Sequence, residues 1–187
     1  LHKHRRRQRQ MCIRDSNAGD QNAAVHLGFW VAGDMLDQSE IPTSGSASMS
    51  GKAVFNVAYR YNQANSDYGV KQYSGHATVN GSFNWGSGSY SGQLDFTNFD
   101  SGNSLVSNAG FTSFSVSLAG SGATYAGSLN DTNNGWTREA VIAGALYGNN
   151  TPVESGGRIS VGLSKSGSLG TSGANDFYMA EGIYLID

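Results

Sequence analysis

Short runs in which apolar and polar residues alternate recur along most of this chain. In FSVSLA (114–119), Phe114, Val116 and Leu118 fall on one side of an extended backbone, and small or polar residues fall on the other. The run RISVGL (158–163) repeats the pattern with branched apolar residues. A period of two is typical of a strand that buries one face, so both runs are predicted to be strands packed against a core.

Eight runs of this kind follow one another, and turn-forming clusters of Gly, Asn, Asp and Ser separate them. They cover residues 51–61, 72–85, 88–96, 114–119, 123–129, 138–148, 158–163 and 176–186, and the hydrophobic segment 25–33 would make a ninth. Short strands at this spacing predict an all-β antiparallel sandwich or barrel. We favour an up-and-down barrel of about eight strands, because closure removes exposed strand edges and side chains can fill so small an interior.

One run is ambiguous between strand and helix. In REAVIAGALYG, Glu139 and Ala140 favour a helix, whereas the β-branched Val141 and Ile142 and the flexible Gly144 oppose it. We predict a strand here.

Composition agrees with a β protein and divides the chain in two. The chain holds 26 Gly and few charged residues, which disfavours a helical enzyme. Six of the twelve Lys/Arg and one of the fourteen Asp/Glu fall in residues 1–16, which leaves residues 17–187 with six basic and thirteen acidic residues, a formal charge of −7. A domain of that charge should repel nucleic acid and anionic membrane surfaces.

The basic run HRRRQRQMCIRDS (4–16) contains the only cysteine, Cys12. It resembles translated sequencing-adapter DNA, and no apolar region follows it as a secretory signal would require. We therefore interpret residues 1–16 as a non-native tail that replaced the true N-terminus, residues 17–24 as a disordered lead-in, and residues 25–187 as a single barrel domain.

Catalytic and metal-binding patterns are not evident in the sequence. There is no nucleophile elbow before a helix, no Cys/His cluster with zinc spacing and no complete calcium or phosphate loop. Carboxylates such as Asp95 and Asp100 show no sign of convergence and are expected to be solvated at the surface. The sequence thus predicts a protein that is not an enzyme and holds no metal.

A tyrosine-rich stretch is the strongest candidate for ligand or partner binding. YRYNQANSDYGVKQYSGH (59–76) surrounds a polar loop with aromatic side chains, and tyrosine gives recognition surfaces a large contact area at modest entropic cost. His and Tyr are also common ligands of haem iron. The competing interpretation is that alternating tyrosines are ordinary barrel residues. The candidates are Tyr59, Tyr61, Tyr68, Tyr73 and His76.

Several small motifs, in this order, resemble the β-barrel domain of transferrin-binding protein B-like surface lipoproteins over about residues 27–163. In that family a Pro-x-Ser-Gly-x-Ala-x-Tyr-x-Gly segment opens the barrel, and a Gly-x-Phe-Tyr-Gly segment precedes a Glu-x-Gly-Gly turn. The corresponding residues here are Trp30 in LGFW; Pro42, Ser44, Gly45, Ala47 and Gly51, with Met49 in place of Tyr; Gly144, Tyr147 and Gly148, with Leu146 in place of Phe; and Glu154, Gly156 and Gly157. The residues themselves predict a structural role in turns and packing.

The resemblance implies a non-enzymatic domain at the outer membrane or cell surface of a Gram-negative bacterium, held there by a lipid anchor. Its partner would be a host or environmental protein such as transferrin or another iron or haem carrier. Neither a nucleic acid nor a cofactor is expected, and haem is the alternative to the absence of a cofactor. Two alternatives remain open: a small transmembrane β-barrel of the outer membrane, and a lipocalin-like barrel that holds haem or an apolar small molecule.

Overall fold

Eight antiparallel strands close into a barrel in the computed structural model, which describes residues 11–13, 26–28, 31–60, 70–148, 151–165 and 176–187. Each strand pairs with its neighbours in the chain, and the last strand pairs with the first to close the ring. The predicted all-β up-and-down barrel is therefore confirmed. Its strands are β3 (Ser46–Arg60), β4 (Val70–Gly86), β5 (Ser89–Thr97), β6 (Phe114–Ser121), β7 (Thr124–Asn133), β8 (Trp136–Gly148), β9 (Pro152–Lys165) and β10 (Asp176–Ile186).

Two short strands, β1 (Met11–Ile13) and β2 (His26–Gly28), pair with each other outside the barrel sheet. The predicted lead-in 17–24, most of the basic tail and Trp30 lie outside the described residues. Helical structure in the described part amounts to a 3₁₀ turn at Gln38–Glu40 and a helix α1 (Ser104–Asn108). No helix among the described residues is long and apolar enough to cross a bilayer.

The two-residue period decides which side chains enter the barrel. Along β4, alternate positions from Gly75 to Trp85 are buried, while Ser82 and Asn84 are exposed on the outside. The predicted inward faces of 114–119 and 158–163 are buried in the same way. The ambiguous run is strand β8, in which Ile142 points inward. Its β-branched residues and the pairing available on both sides outweigh the local helix preference.

Aromatic rings fill the interior. Phe96 stacks on Phe114 with 4.9 Å between ring centroids, and Phe114 stacks on Phe111 at 4.1 Å. Farther along the barrel Phe83 stacks on Trp85 at 5.7 Å. Offset and edge-to-face contacts of this kind add to the burial of large rings. The barrel is therefore a packed core, as the small strand number predicts.

One end of the barrel is closed by residues 98–113, which we call the plug segment. It joins β5 to β6, contains α1 and buries Phe99, Leu105, Val106 and Phe111 completely. The Asn103 side chain caps α1 by accepting a hydrogen bond from the Leu105 amide at 2.8 Å. Strands β3 and β9 end, and strands β4 and β10 begin, at this same end, which we call the plugged end.

The opposite end is crossed by residues 31–45, which we call the strap. Its Leu36 is buried, and its amide donates to the Leu146 carbonyl at 3.2 Å. The strap enters β3 through Gly45, whose φ of +97° lies in a region that favours glycine. The Gly45 carbonyl accepts from the Trp85 amide at 2.9 Å, so the turn is tied to β4.

Candidate functional site

The predicted binding tyrosines that the structure describes lie at the plugged end. Tyr59, near the end of β3, and Tyr73, near the start of β4, meet edge to face with 5.8 Å between ring centroids. Both belong to the inward-facing set of their strands, but Tyr73 lies near the end of the barrel and is 36% exposed. Tyr61 and Tyr68 lie outside the described residues. The structure therefore brings two of the five candidates together.

His76 does not join this pair. It lies three residues after Tyr73 on the same strand, so its side chain points to the outer surface, where it is exposed. Its main-chain carbonyl contacts the plug segment by accepting a hydrogen bond from the Asp100 amide at 3.2 Å. Tyr73 and His76 therefore do not come together inside the barrel as a pair of ligands for haem iron.

Asp100 organises the polar contacts at this end. Its carboxylate accepts hydrogen bonds from the hydroxyls of Tyr73 and Tyr178, the latter at 2.9 Å. The Asn103 side-chain amide donates to the Tyr73 hydroxyl at 2.8 Å. The network joins the plug segment to β4 and β10, so it fixes the plug in the mouth of the barrel. We call these four residues the Asp100 network.

The expectation that Asp100 is solvated is wrong, because its side chain is buried in the described structure. Burying a carboxylate is costly unless hydrogen bonds compensate, and two phenols supply them. Burial raises the pKa of Tyr178, and the neighbouring Asp100 carboxylate raises it further. The pKa of Tyr73 rises for the same two reasons. Both phenols therefore stay protonated as donors, which opposes the phenolate form that ligates iron.

Arg138 holds the plug segment from the other side of the barrel. Its guanidinium forms a two-point ion pair with Asp131, in which both nitrogen-to-oxygen distances are 2.6 Å. The Asp131 pKa is lowered by these hydrogen bonds. Arg138 also donates to the carbonyls of Ala109 at 3.3 Å and Gly110 at 3.0 Å. The plug is thus fixed to β8 as well as to β4 and β10.

A second polar network lies inside the barrel toward the strap. The Tyr184 hydroxyl donates to the Tyr125 hydroxyl at 2.7 Å, and the Tyr125 and Ser155 hydroxyls are 2.5 Å apart. Ser155 donates its one hydroxyl proton to the Ala145 carbonyl at 3.2 Å. The Tyr125 hydroxyl is therefore the donor in the bond to Ser155. Burial raises the pKa of Tyr125 to about 12 and that of Tyr184 well above its usual range.

Two of the motif glycines make room for this network. Gly144 on β8 and Gly157 on β9 are direct cross-strand partners, and Tyr125 and Tyr184 pair with them on either side. A Cβ on Gly144 would clash with the Tyr184 hydroxyl and come within 2.6 Å of the Tyr125 hydroxyl. The absence of a side chain at both positions lets the two tyrosines meet.

The remaining motif positions lie at the strap end, away from the tyrosine rim. Tyr147 is partly buried, and its ring packs against Gly33 of the strap. Gly51 and Gly148 face neighbouring main-chain atoms at distances that leave no room for a Cβ, and a Cβ on Gly156 would come within 2.9 Å of the Val31 side chain. Pro42 lies in the strap, three residues before the Gly45 turn.

No protein-family model matches the chain, and no curated protein matches it in sequence. The likeness to transferrin-binding protein B-like barrels thus stays a prediction drawn from the motifs.

Metal ligands do not converge in the described part of the chain, where no group of three or more His, Cys, Asp or Glu side chains could hold an ion. The described site chemistry consists of phenol, carboxylate and amide hydrogen bonds. Sequence reasoning missed Asp100, Asn103 and Tyr178, since nothing local marks them. The face on which His76 lies could have been read from the two-residue period of its strand.

Proposed function

We propose that this chain is a non-enzymatic binding domain that recognises a protein partner at the plugged end of its barrel. The observation that supports this most is the aromatic rim formed by Tyr59 and Tyr73. The rim is fixed by the barrel strands and by the Asp100 network, so its rings are held in place before a partner arrives. Preorganised aromatic side chains give binding surfaces contact area at low entropic cost.

The family resemblance supplies the class of partner in this proposal. It implies a domain displayed at the surface of a Gram-negative cell that captures an iron or haem carrier such as transferrin. The formal charge of −7 on residues 17–187 supports a protein partner over nucleic acid.

The packed interior supports binding on the outside of the barrel over the lipocalin-like alternative. Lipocalin-type barrels leave space for one small ligand among their inward side chains. Here the inward positions carry large fully buried residues such as Phe83, Phe96 and Tyr184, and Phe99 of the plug segment fills the space at one end. An apolar ligand would have to displace these rings.

The polarity of the two faces supports a barrel surrounded by water over the transmembrane alternative. A membrane barrel places apolar side chains outward against lipid and polar ones inward. On β4 the order is reversed: its outer face carries Ser74, His76, Asn80, Ser82 and Asn84, while its inner face is apolar.

Binding of the full chain to iron-loaded transferrin, iron-free transferrin and haemoglobin, measured by biolayer interferometry, tests the proposal. We expect one carrier to bind, and Tyr59→Ser to weaken that binding at least tenfold, which is the effect of losing a central aromatic contact. Val153→Ser is the matched control, because Val153 is 49% exposed at the opposite end. Failure of all three carriers to bind, or equal loss in both variants, contradicts the proposal.

The haem alternative has its own test. Titration of hemin into the full chain would shift the Soret band if a side chain ligated the iron, and His76→Ala would abolish that shift. Since His76 and Tyr73 point to opposite faces of β4, we expect no ligation that depends on both. A shift lost in both His76→Ala and Tyr73→Phe would contradict this.

A further inference from the structure

A groove crosses the outer wall of the barrel where β10, β3 and β4 lie side by side. It has a volume of about 460 Å³, within the range of roughly 300–1,000 Å³ typical of small-ligand sites. The groove lies on the side wall and faces away from the packed interior. Its outward-facing lining residues are Met179 and Glu181 from β10, Asn56 and Ala58 from β3, and Gln72 and Ser74 from β4.

Strand register explains why a groove forms here. Met179, Ala58 and Gln72 lie in one cross-strand row, so a methyl group is flanked by two long side chains. Strands two apart are separated by about 10 Å, which sets the width of the groove. Ala58 therefore forms the floor of the groove, and the flexible side chains of Met179 and Gln72 form its two walls.

The next row adds hydrogen-bonding groups. Glu181, Asn56 and Ser74 are cross-strand neighbours, and the Ser74 hydroxyl donates to the side-chain Oδ1 of Asn56 at 3.4 Å. With Gln72, the groove offers one carboxylate, two carboxamides and a hydroxyl within two rows of the sheet. These groups can donate to and accept from the same ligand at several points.

The charge and polarity of this lining restrict the ligand. Glu181 is the one charged residue in it, and Lys and Arg are absent from the lining, so an anionic ligand is disfavoured. An apolar ligand would bury several amide groups without hydrogen-bond partners, which is costly. An extended peptide cannot add to this sheet as a strand, because β10, β3 and β4 are already paired on both sides.

We propose that this groove binds a neutral carbohydrate. A sugar unit carries several hydroxyls, each able to donate and accept, and it also presents C–H faces that can pack on the Met179 thioether and the Ala58 methyl group. Carboxylate and carboxamide side chains suit adjacent hydroxyl groups. Tyr73 of the rim also borders the groove, but the side chains that carry this proposal project from the outer wall, so it does not rest on the proposed protein partner.

Titration of the full chain with cellobiose, maltose, lactose and chitobiose at up to about 10 mM tests the proposal, read by two-dimensional ¹H–¹⁵N NMR. We expect at least one disaccharide to shift the side-chain amide signals of Asn56 and Gln72. Gln72→Ala and Glu181→Gln should each weaken that affinity about tenfold, as the loss of one hydrogen bond does. Glu139→Gln is the control, since Glu139 is exposed on the outer face of β8.

Three results would overturn the proposal. One is the absence of amide shifts with all four disaccharides. Another is sugar binding that Gln72→Ala and Glu181→Gln leave unchanged. The third is binding of hexalysine, abolished by Glu181→Gln, in a protein that binds none of the sugars; the groove would then take a cationic partner. Thermal unfolding of each variant confirms that a lost signal reflects the groove and not the fold.

Discussion

The Tyr184 hydroxyl donates a hydrogen bond to the Tyr125 hydroxyl across a pair of facing glycines. The two tyrosines come from β10 and β7, and Gly144 and Gly157 occupy the strands between them. Both rings are buried, and the bond continues through Ser155 to a main-chain carbonyl. The barrel core thus contains a series of hydrogen bonds, and the two glycines leave the space that this series occupies.

Tyr184→Phe should destabilise the protein, because it removes the hydroxyl that donates to Tyr125 inside the core. We expect a loss of about 0.5–1.5 kcal/mol in the free energy of unfolding, measured in urea. Tyr90→Phe is the control: in the described structure the buried Tyr90 hydroxyl has no hydrogen-bond partner, so its removal should be neutral or stabilising. Equal losses in the free energy of unfolding of the two variants would show that the hydrogen bond does not contribute to stability.

Gly144→Ala should destabilise the barrel by about 1–3 kcal/mol, as overpacked cores do. Its methyl group would meet both tyrosine hydroxyls, which are held by their own hydrogen bonds. Gly162→Ala on β9 is the matched change, since the nearest atom to its Cβ would be 4.0 Å away, on Glu139. There we expect a gain of about 0.4–1 kcal/mol from the stiffer unfolded chain. Indistinguishable unfolding midpoints for the two variants would contradict the proposed role of Gly144.

The buried tyrosines predict unfolding at alkaline pH. Their pKa is raised in the folded state, so below pH 10 stability is complete, and it falls as the unfolded chain loses protons that the folded chain keeps. For Tyr125, with a folded pKa of about 12, the loss reaches on the order of 2–3 kcal/mol by pH 12. Absorbance at 295 nm and circular dichroism should therefore change together above pH 10. Titration of all nine tyrosines near pH 10 with an unchanged dichroism spectrum would contradict this.

Asp100→Asn tests the Asp100 network without changing the backbone. Asp100 has a φ of +41°, a region that Asn tolerates better than most residues, so the substitution removes chiefly the charge. We expect a loss of about 1 kcal/mol and faster hydrogen exchange at Leu105 and Val106 in α1. Asp100→Ala should cost more, because it also removes the acceptor and strains the turn. Exchange in α1 that is unchanged by both variants would show that the plug does not depend on Asp100.

The strands and their buried faces could be predicted because each depends on residues close together in the chain. Alternation in runs such as 114–119 indicates both the strand and the face that it buries. The number and spacing of the strands left a sandwich or a barrel, and the need to remove exposed strand edges favoured the barrel. The Asp100 network could not be predicted in this way. Asp100 and Tyr178 are 78 positions apart, and their contact depends on how the plug segment enters the barrel mouth. The same limit applies to Tyr125 and Tyr184, which meet only once β7 to β10 are in register.

Removal of residues 1–16 tests whether the basic run belongs to the folded domain. Residues 11–13 pair with residues 26–28 outside the barrel sheet, and all eight barrel strands begin at Ser46 or later. We therefore expect a chain of residues 17–187 to unfold at the same temperature as the full chain, with the same cooperativity. The full chain should interact more strongly with heparin at low salt, because the tail carries half of the basic residues. A lower unfolding temperature for the shortened chain would show that the run contributes to the fold.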